Sequence, residues 1–120
     1  MAYDRDIIGV LLKANMIIVE TSMFTRQVQK LLSDEEYRHL QSDLTNRPDM
    51  GSIIPKSGGL RKVRWGYRGQ GKRGGVRVIY YWAVSQEHLL MLMMYPKNVQ
   101  DNLSAAQLKA LRQIVEDEYR

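Results

Sequence analysis

The chain has 120 residues, of which 44% are apolar and 26% are charged, and its formal net charge is +5. This length fits one domain with one modest core. The absence of cysteine excludes disulfides and thiolate zinc sites, and the apolar runs are far shorter than the roughly 20 residues that span a bilayer. The N-terminus carries Asp4 and Asp6 and lacks the cationic start of a signal peptide, so we expect a cytoplasmic protein.

Residues 1–15 are interpreted as an N-terminal extension that precedes a single domain at 16–120. Nothing in this extension is needed for the elements predicted after it, and Met16 could be an ancestral start. Its apolar residues could form an extra amphipathic turn packed on the domain; they are Ile7, Ile8, Leu11 and Leu12.

The first part of the domain is predicted to form a strand and two helices. Residues 16–20, "MIIVE", are apolar and rich in β-branched side chains, which is typical of a strand. Thr21 or Ser22 can cap the first helix. Ser33 begins the S-x-x-E pattern of a capping box for the second helix, and Pro48 ends it.

The second part is predicted to form three strands and a helix. Residues 60–67, "LRKVRWGY", alternate so that Lys62 and Arg64 share one face. Residues 76–84 form a strong strand, and residues 89–95 are apolar at both parities, which indicates a central strand covered on both faces. A capping box at Ser104 starts the last helix. The order βααβββα predicts an α+β domain with a small, mainly antiparallel sheet.

The stretch from Gly66 to Lys72 spells G-x-x-x-x-G-K, the beginning of a nucleotide-binding phosphate loop. The next position should be Ser or Thr but is Arg73, and a strand, not a helix, is predicted to follow. Because a phosphate loop holds its phosphates at a helix N-terminus, we interpret the match as accidental. The stretch is better explained as a flexible hairpin loop that carries cations to a polyanion.

Positive charge is concentrated in the middle of the chain. The segment 50–86 contains eight Lys or Arg residues and no Asp or Glu, whereas the other residues hold ten cations and thirteen acids, a net charge of −3. A basic segment on a mildly acidic frame predicts one cationic face that binds a polyanion such as RNA.

Three segments together resemble a known family. The predicted order, with "GGLRKVRW", "GKRGGVRVIYYW" and "MYPKN" on successive strands, is similar to the HigB branch of the RelE/ParE toxins of bacterial type II toxin–antitoxin systems. The resemblance covers about residues 16 to 115. It implies a RelE-like fold and a ribosome-dependent endoribonuclease that cleaves mRNA and inhibits translation. It also implies contacts with rRNA and neutralisation by a HigA-like antitoxin with a helix-turn-helix domain.

The resemblance also implies a catalytic set. Lys62 and Arg64 match basic residues of the first of these strands, Arg77 matches an arginine of the next, and Lys97 matches a basic residue after the last. RelE itself has a tyrosine a few residues later that acts as the base, but this chain reads "NVQDNLS" there. Tyr95 is our substitute for that base.

The other cations and one aromatic residue of the basic segment are assigned to RNA binding: Arg61, Tyr67, Arg68, Lys72 and Arg73. No metal ligand set and no cofactor are expected, because cysteine is absent and the two histidines are far apart. His39 is interpreted as helix surface and His88 as part of a turn. Tyr80 and Trp82 are interpreted as core residues.

Two alternatives remain from the sequence. A toxin of the same fold could inhibit DNA gyrase by binding it, as ParE relatives do, or the domain could bind RNA without cleaving it. The cations on the three strand segments favour the endoribonuclease. That reaction would leave 2′,3′-cyclic phosphate and 5′-hydroxyl ends.

Overall fold

The computed structural model describes residues 7–13, 16–66 and 75–120, with the backbone alone for 7–13. Within these ranges, no helix is long and apolar enough to cross a membrane. The elements are β1 (Ile7–Lys13), β2 (Met16–Thr21), α1 (Ser22–Leu31), α2 (Asp34–Asn46), β3 (Ser52–Ile53), β4 (Arg61–Trp65), β5 (Val76–Ala83), β6 (His88–Pro96) and α3 (Ala105–Tyr119).

The strands form one six-stranded sheet in the order β1-β2-β6-β5-β4-β3. Only β2 and β6 pair in parallel; the other neighbours are antiparallel. β6 lies between β2 and β5, and the residues of β6 from Leu89 to Tyr95 are all buried. The predicted α+β fold, with its mainly antiparallel sheet and central apolar strand, is therefore confirmed.

Both edges of the sheet differ from the prediction. An amphipathic turn was one structure that the apolar residues of the extension could form, but residues 7–13 are the extended strand β1 and pair along β2 from Thr21 to Met16. The apolar spacing of this stretch fits either structure, and the open edge of β2 decides in favour of the strand. At the other edge, the two-residue strand β3 pairs with the beginning of β4.

The helices begin where their caps were predicted. Thr21 caps α1 through its hydroxyl, and complete capping boxes start α2 at Ser33 and α3 at Ser104. α2 ends at Asn46, just before Arg47 and Pro48. Helices α1 and α2 pack on one face of the sheet and α3 packs on the other, so that each face has its own apolar cluster.

The segment after Gly75 is strand β5, which confirms the strand predicted there. The predicted hairpin loop at 67–74 lies outside the described residues. The Tyr80 side chain is fully buried, accepts a hydrogen bond from the Gly51 N–H and donates one to the Pro48 carbonyl, so it is a core residue as predicted. Trp82 packs, half-buried, against the cluster under α1 and α2. His88 was expected in a turn but is the first residue of β6, where its Nδ1 lies 3.0 Å from the Tyr119 hydroxyl.

Candidate active site

The register of β4, β5 and β6 places three of the predicted residues in one row across the sheet. Arg64 pairs directly with Arg77, and Arg77 pairs directly with Tyr95. Directly paired residues project their side chains from the same face, so this row lies on the face that α3 covers. Lys62 lies two positions along β4 on that face. Residues from three separate segments therefore meet at one end of the sheet.

The direct pairing of Arg64 with Arg77 is unfavourable in the free protein. Like charges in opposite positions of an antiparallel pair repel each other, and their Cβ atoms are only about 4.5–5.5 Å apart. A bound anion between the two guanidinium groups would replace this repulsion with two charge-assisted hydrogen-bonding partners. The pair is therefore suited to bind a phosphate group.

The two arginines differ in their exposure to solvent. Arg64 is exposed, whereas Arg77 is 1% exposed and lies at the base of the site. The Arg77 Nη2 atom is 3.5 Å from a carboxylate oxygen of Asp101, whose side chain is 61% exposed. Packing holds Arg77 in one position, while Arg64 is free to follow a ligand.

The loop between β6 and α3 covers the row. Asp101 faces Arg77, and its carbonyl accepts a hydrogen bond from the Tyr95 hydroxyl at 3.4 Å. The neighbouring Asn102 accepts a hydrogen bond from Lys62 Nζ at 2.9 Å. Sequence reasoning missed both loop residues. The only signal for them was the polar stretch "NVQDNLS", which occupies the place of the expected tyrosine.

Tyr95 is almost entirely buried, with 3% of its surface exposed. Burial raises the pKa of its hydroxyl above the ordinary value; the charge of Arg77 lowers that pKa and Asp101 raises it. At neutral pH the hydroxyl therefore keeps its proton and acts as a hydrogen-bond donor.

Lys97 directly follows the end of β6. Its backbone N–H donates to the Gly75 carbonyl at 3.1 Å, which continues the pairing between β5 and β6 beyond Pro96. Lys97 is exposed and lies two residues after Tyr95, so its side chain is free to reach a ligand on the row.

The remaining predicted residues are not brought into this row. Arg61 points to the other face of β4, where its guanidinium donates to the carbonyls of Asp49 and Gly51. The other four predicted RNA-binding residues lie in the segment 67–74, outside the described residues: Tyr67, Arg68, Lys72 and Arg73. No group of three His, Cys, Asp or Glu side chains in the described ranges could hold a metal ion.

Comparison with known proteins identifies the family of the chain. One family profile, described as the RelE toxin of the RelE/RelB toxin–antitoxin system, matches residues 16–119. The chain belongs to the RelE toxin family. The match begins at Met16, the first residue of β2, and leaves β1 of this RelE-family toxin outside it.

Membership gives the toxin a protein antitoxin as its partner and confirms the resemblance to the RelE/ParE superfamily. The match includes every element from β2 to α3 and therefore the whole row from Arg64 to Tyr95.

Proposed function

We propose that this RelE-family toxin is an endoribonuclease that cleaves mRNA on the translating ribosome and so inhibits translation. The observation that carries the proposal is the direct pairing of Arg64 with Arg77 and of Arg77 with Tyr95 at one end of the sheet. Two paired cations beside a hydroxyl, with both arginines in the acid-free segment 50–86, suit a phosphodiester better than a protein surface.

The reaction would use the RNA's own nucleophile. The 2′-hydroxyl attacks the adjacent phosphorus and the bond to the 5′-oxygen breaks, leaving a 2′,3′-cyclic phosphate and a 5′-hydroxyl. The protein must position the phosphate, accept the proton of the 2′-hydroxyl, return a proton to the leaving oxygen and stabilise the dianionic phosphorane. None of these tasks requires a metal ion.

Arg77 and Arg64 would stabilise the phosphorane. Arg77 is fixed by burial, so it provides a preorganised positive charge at the base of the site, which the phosphate would reach by displacing the exposed Asp101 carboxylate. Arg64 is exposed and would close on the phosphate from the solvent side. Lys62 would bind the neighbouring phosphate after leaving Asn102.

The proton transfers are assigned to Tyr95 and Lys97. The Tyr95 hydroxyl is protonated at neutral pH, so it can act as the base only by relaying: it would pass its own proton to the carboxylate of Asp101 as it takes one from the 2′-hydroxyl. Lys97, exposed at the end of the row, would give its proton to the leaving 5′-oxygen. Proton transfer by such groups contributes typically 10²- to 10⁴-fold in rate.

The finer family assignment is the HigB branch, supported by the three strand segments quoted above. It adds a HigA-like antitoxin with a helix-turn-helix domain as the partner and the cytoplasm as the location. Contacts with rRNA are assigned to Arg61 and to the cations and tyrosine of the segment 67–74.

The test is expression of the toxin without antitoxin, followed by mapping of RNA ends. New 5′-hydroxyl ends should appear in translated messages within minutes, and mass spectrometry should find 2′,3′-cyclic phosphates. In a translation extract, cleavage should survive chelation of free divalent ions as long as the ribosomes stay intact. Ends with a 3′-hydroxyl would contradict the mechanism.

A matched pair of variants connects cleavage to the row. Arg64→Ala removes an exposed guanidinium from the site, and Arg38→Ala removes an exposed guanidinium from α2 on the opposite face. Cleavage should fall by roughly tenfold or more with Arg64→Ala, as for loss of one charge-assisted contact, and stay unchanged with Arg38→Ala. Intact messages together with blocked DNA supercoiling would instead support gyrase inhibition.

A further inference from the structure

The edge of the sheet beside the row is only partly covered. β3 has two residues, Ser52 and Ile53, which pair with Lys62 and Arg61. Among the described residues, no strand lies against the outer edge of β4 from Val63 onwards. The chain leaves this edge at Gly51, whose N–H is bound by the Tyr80 hydroxyl beneath the sheet. A short edge strand thus leaves a gap next to Arg64.

The backbone of Arg64 faces this gap. Ile54 donates a hydrogen bond to the Leu60 carbonyl, so the peptide groups of Leu60 point towards the β3 side. Peptide groups alternate in direction along an antiparallel strand, and those of Lys62 and Arg64 therefore point the same way. Since β3 stops opposite Lys62, the N–H and C=O of Arg64 point into the gap. They offer one donor and one acceptor at a sheet edge.

Side chains turn the gap into a groove of about 310 Å³. Met50, partly buried against the cluster under α1 and α2, supplies apolar surface at the edge of the sheet, and Val63 is mostly buried in that cluster. Ser52 supplies a hydroxyl, and the cations Lys62 and Arg64 line the groove from the other face of β4. The groove is continuous with the row, because Lys62 and Arg64 belong to both. Proteins hold an unstacked RNA base by stacking it on a flat side chain, such as an Arg guanidinium, and by hydrogen bonds to its edge, while cations bind its phosphate. The exposed guanidinium of Arg64, its peptide groups and Lys62 provide these features here.

Resting on the proposed function, we infer that this groove holds one nucleobase of the mRNA, next to the phosphate that is cleaved. The base would pack on Met50 at the edge of the sheet, its edge would meet the peptide groups of Arg64, and its phosphate would lie between Arg64 and Arg77 on the face that α3 covers. Peptide groups at fixed positions discriminate among base edges, so the groove would set the base preference at one position beside the cut. The cations favour RNA over an added strand of a protein partner, which would also fit an open edge.

Two neighbouring residues provide a matched test. Ser52 shares the face of Lys62 and lines the groove, whereas Ile53 shares the face of Arg61 and is 57% exposed away from it. Ser52→Tyr would fill the groove with a ring, and Ile53→Tyr would add the same ring to the same strand outside it. Neither residue belongs to the proposed catalytic set.

The measurement is the base composition around all cut sites, obtained by sequencing 5′-hydroxyl ends after brief expression. Ser52→Tyr should change the preference at one position beside the cut by roughly tenfold, as for loss of one base contact, while Ile53→Tyr keeps the wild-type pattern. Thermal melting checks that both variants fold. If Ser52→Tyr does not fold, the base preference is measured with Ser52→Gln instead.

Each other outcome overturns the inference. A folded Ser52→Tyr variant with the wild-type cut pattern shows that no base occupies the groove. A variant that cleaves normally but escapes its antitoxin assigns the groove to the protein partner. Absence of cuts with the wild-type toxin means that the proposed function fails, and the inference falls with it.

Discussion

Replacing Arg77 with methionine separates the contribution of this residue to the fold from its contribution to cleavage. Arg77 is 1% exposed, so alanine would leave a cavity, whereas methionine keeps most of the side-chain volume and removes the charge and the N–H donors of the guanidinium. The Asp101 carboxylate that it faces is 61% exposed and would be solvated after the change.

The expected effect on stability follows from these contacts. Removal of one partner of a buried ion pair destabilises by about 3–5 kcal/mol when the other charge stays buried, and this cost is largely absent here because Asp101 is exposed. Removal of the like charge opposite Arg64 stabilises by about 0.2–1 kcal/mol. The melting temperature of Arg77→Met should therefore equal or exceed that of the wild type.

The expected effect on cleavage is the opposite. Loss of a preorganised charge at the phosphorane costs about 3 kcal/mol of transition-state stabilisation, which is roughly a hundredfold in rate. The assay is single-turnover cleavage of a message on programmed ribosomes, read by primer extension. Arg112→Met is the control, since Arg112 lies on α3 with a 48% exposed side chain that pairs with Glu116. Cleavage within about threefold of wild type by a folded Arg77→Met protein would refute the role of Arg77.

Three further predictions concern the proton, the pH and the extension. Tyr95→Phe deletes one weak hydrogen bond at 3.4 Å, so the protein should stay folded and bind the ribosome while its cleavage rate falls. If Tyr95→Phe cleaves at the normal rate and Lys97→Ala cleaves slowly, the base is the lysine. Burial raises the pKa of four tyrosines above the ordinary value of 10.0: Tyr37, Tyr80, Tyr95 and Tyr119. Above about pH 10 the folded state therefore holds protons that the unfolded chain releases, so stability to urea should fall as the pH rises, and these tyrosines should not affect it at lower pH. An unchanged unfolding midpoint between pH 9 and pH 11 would contradict this. A protein that starts at Met16 should melt cooperatively and remain toxic, since β1 is the edge strand farthest from β4; loss of folding or toxicity would make β1 part of the functional domain.

Local patterns predicted most of the elements correctly. Capping boxes at Ser33 and Ser104 and the proline after Arg47 act within a few residues, so they can be interpreted without knowledge of the fold. The same is true of the apolar run 89–95, since a strand that is apolar at both parities must be covered on both faces. Local patterns did not decide the structure of the N-terminal extension, because its apolar spacing fits both a helical turn and a strand.

For the site, the sequence by itself determined which functional groups are available. These are the cations of an acid-free segment, with Lys62 and Arg64 on one face by alternation, and there is no tyrosine at the expected place after Lys97. Only the tertiary structure decided which of these residues meet. Pairing register joins residues distant in the chain, and a shift of one position would turn Arg77 away from both Arg64 and Tyr95. Two loops decide the remaining features of the site: one carries Asp101 and Asn102 over the row, and the other leaves the gap beside β3. No periodic pattern encodes the path of a loop, because that path follows from the elements that the loop connects.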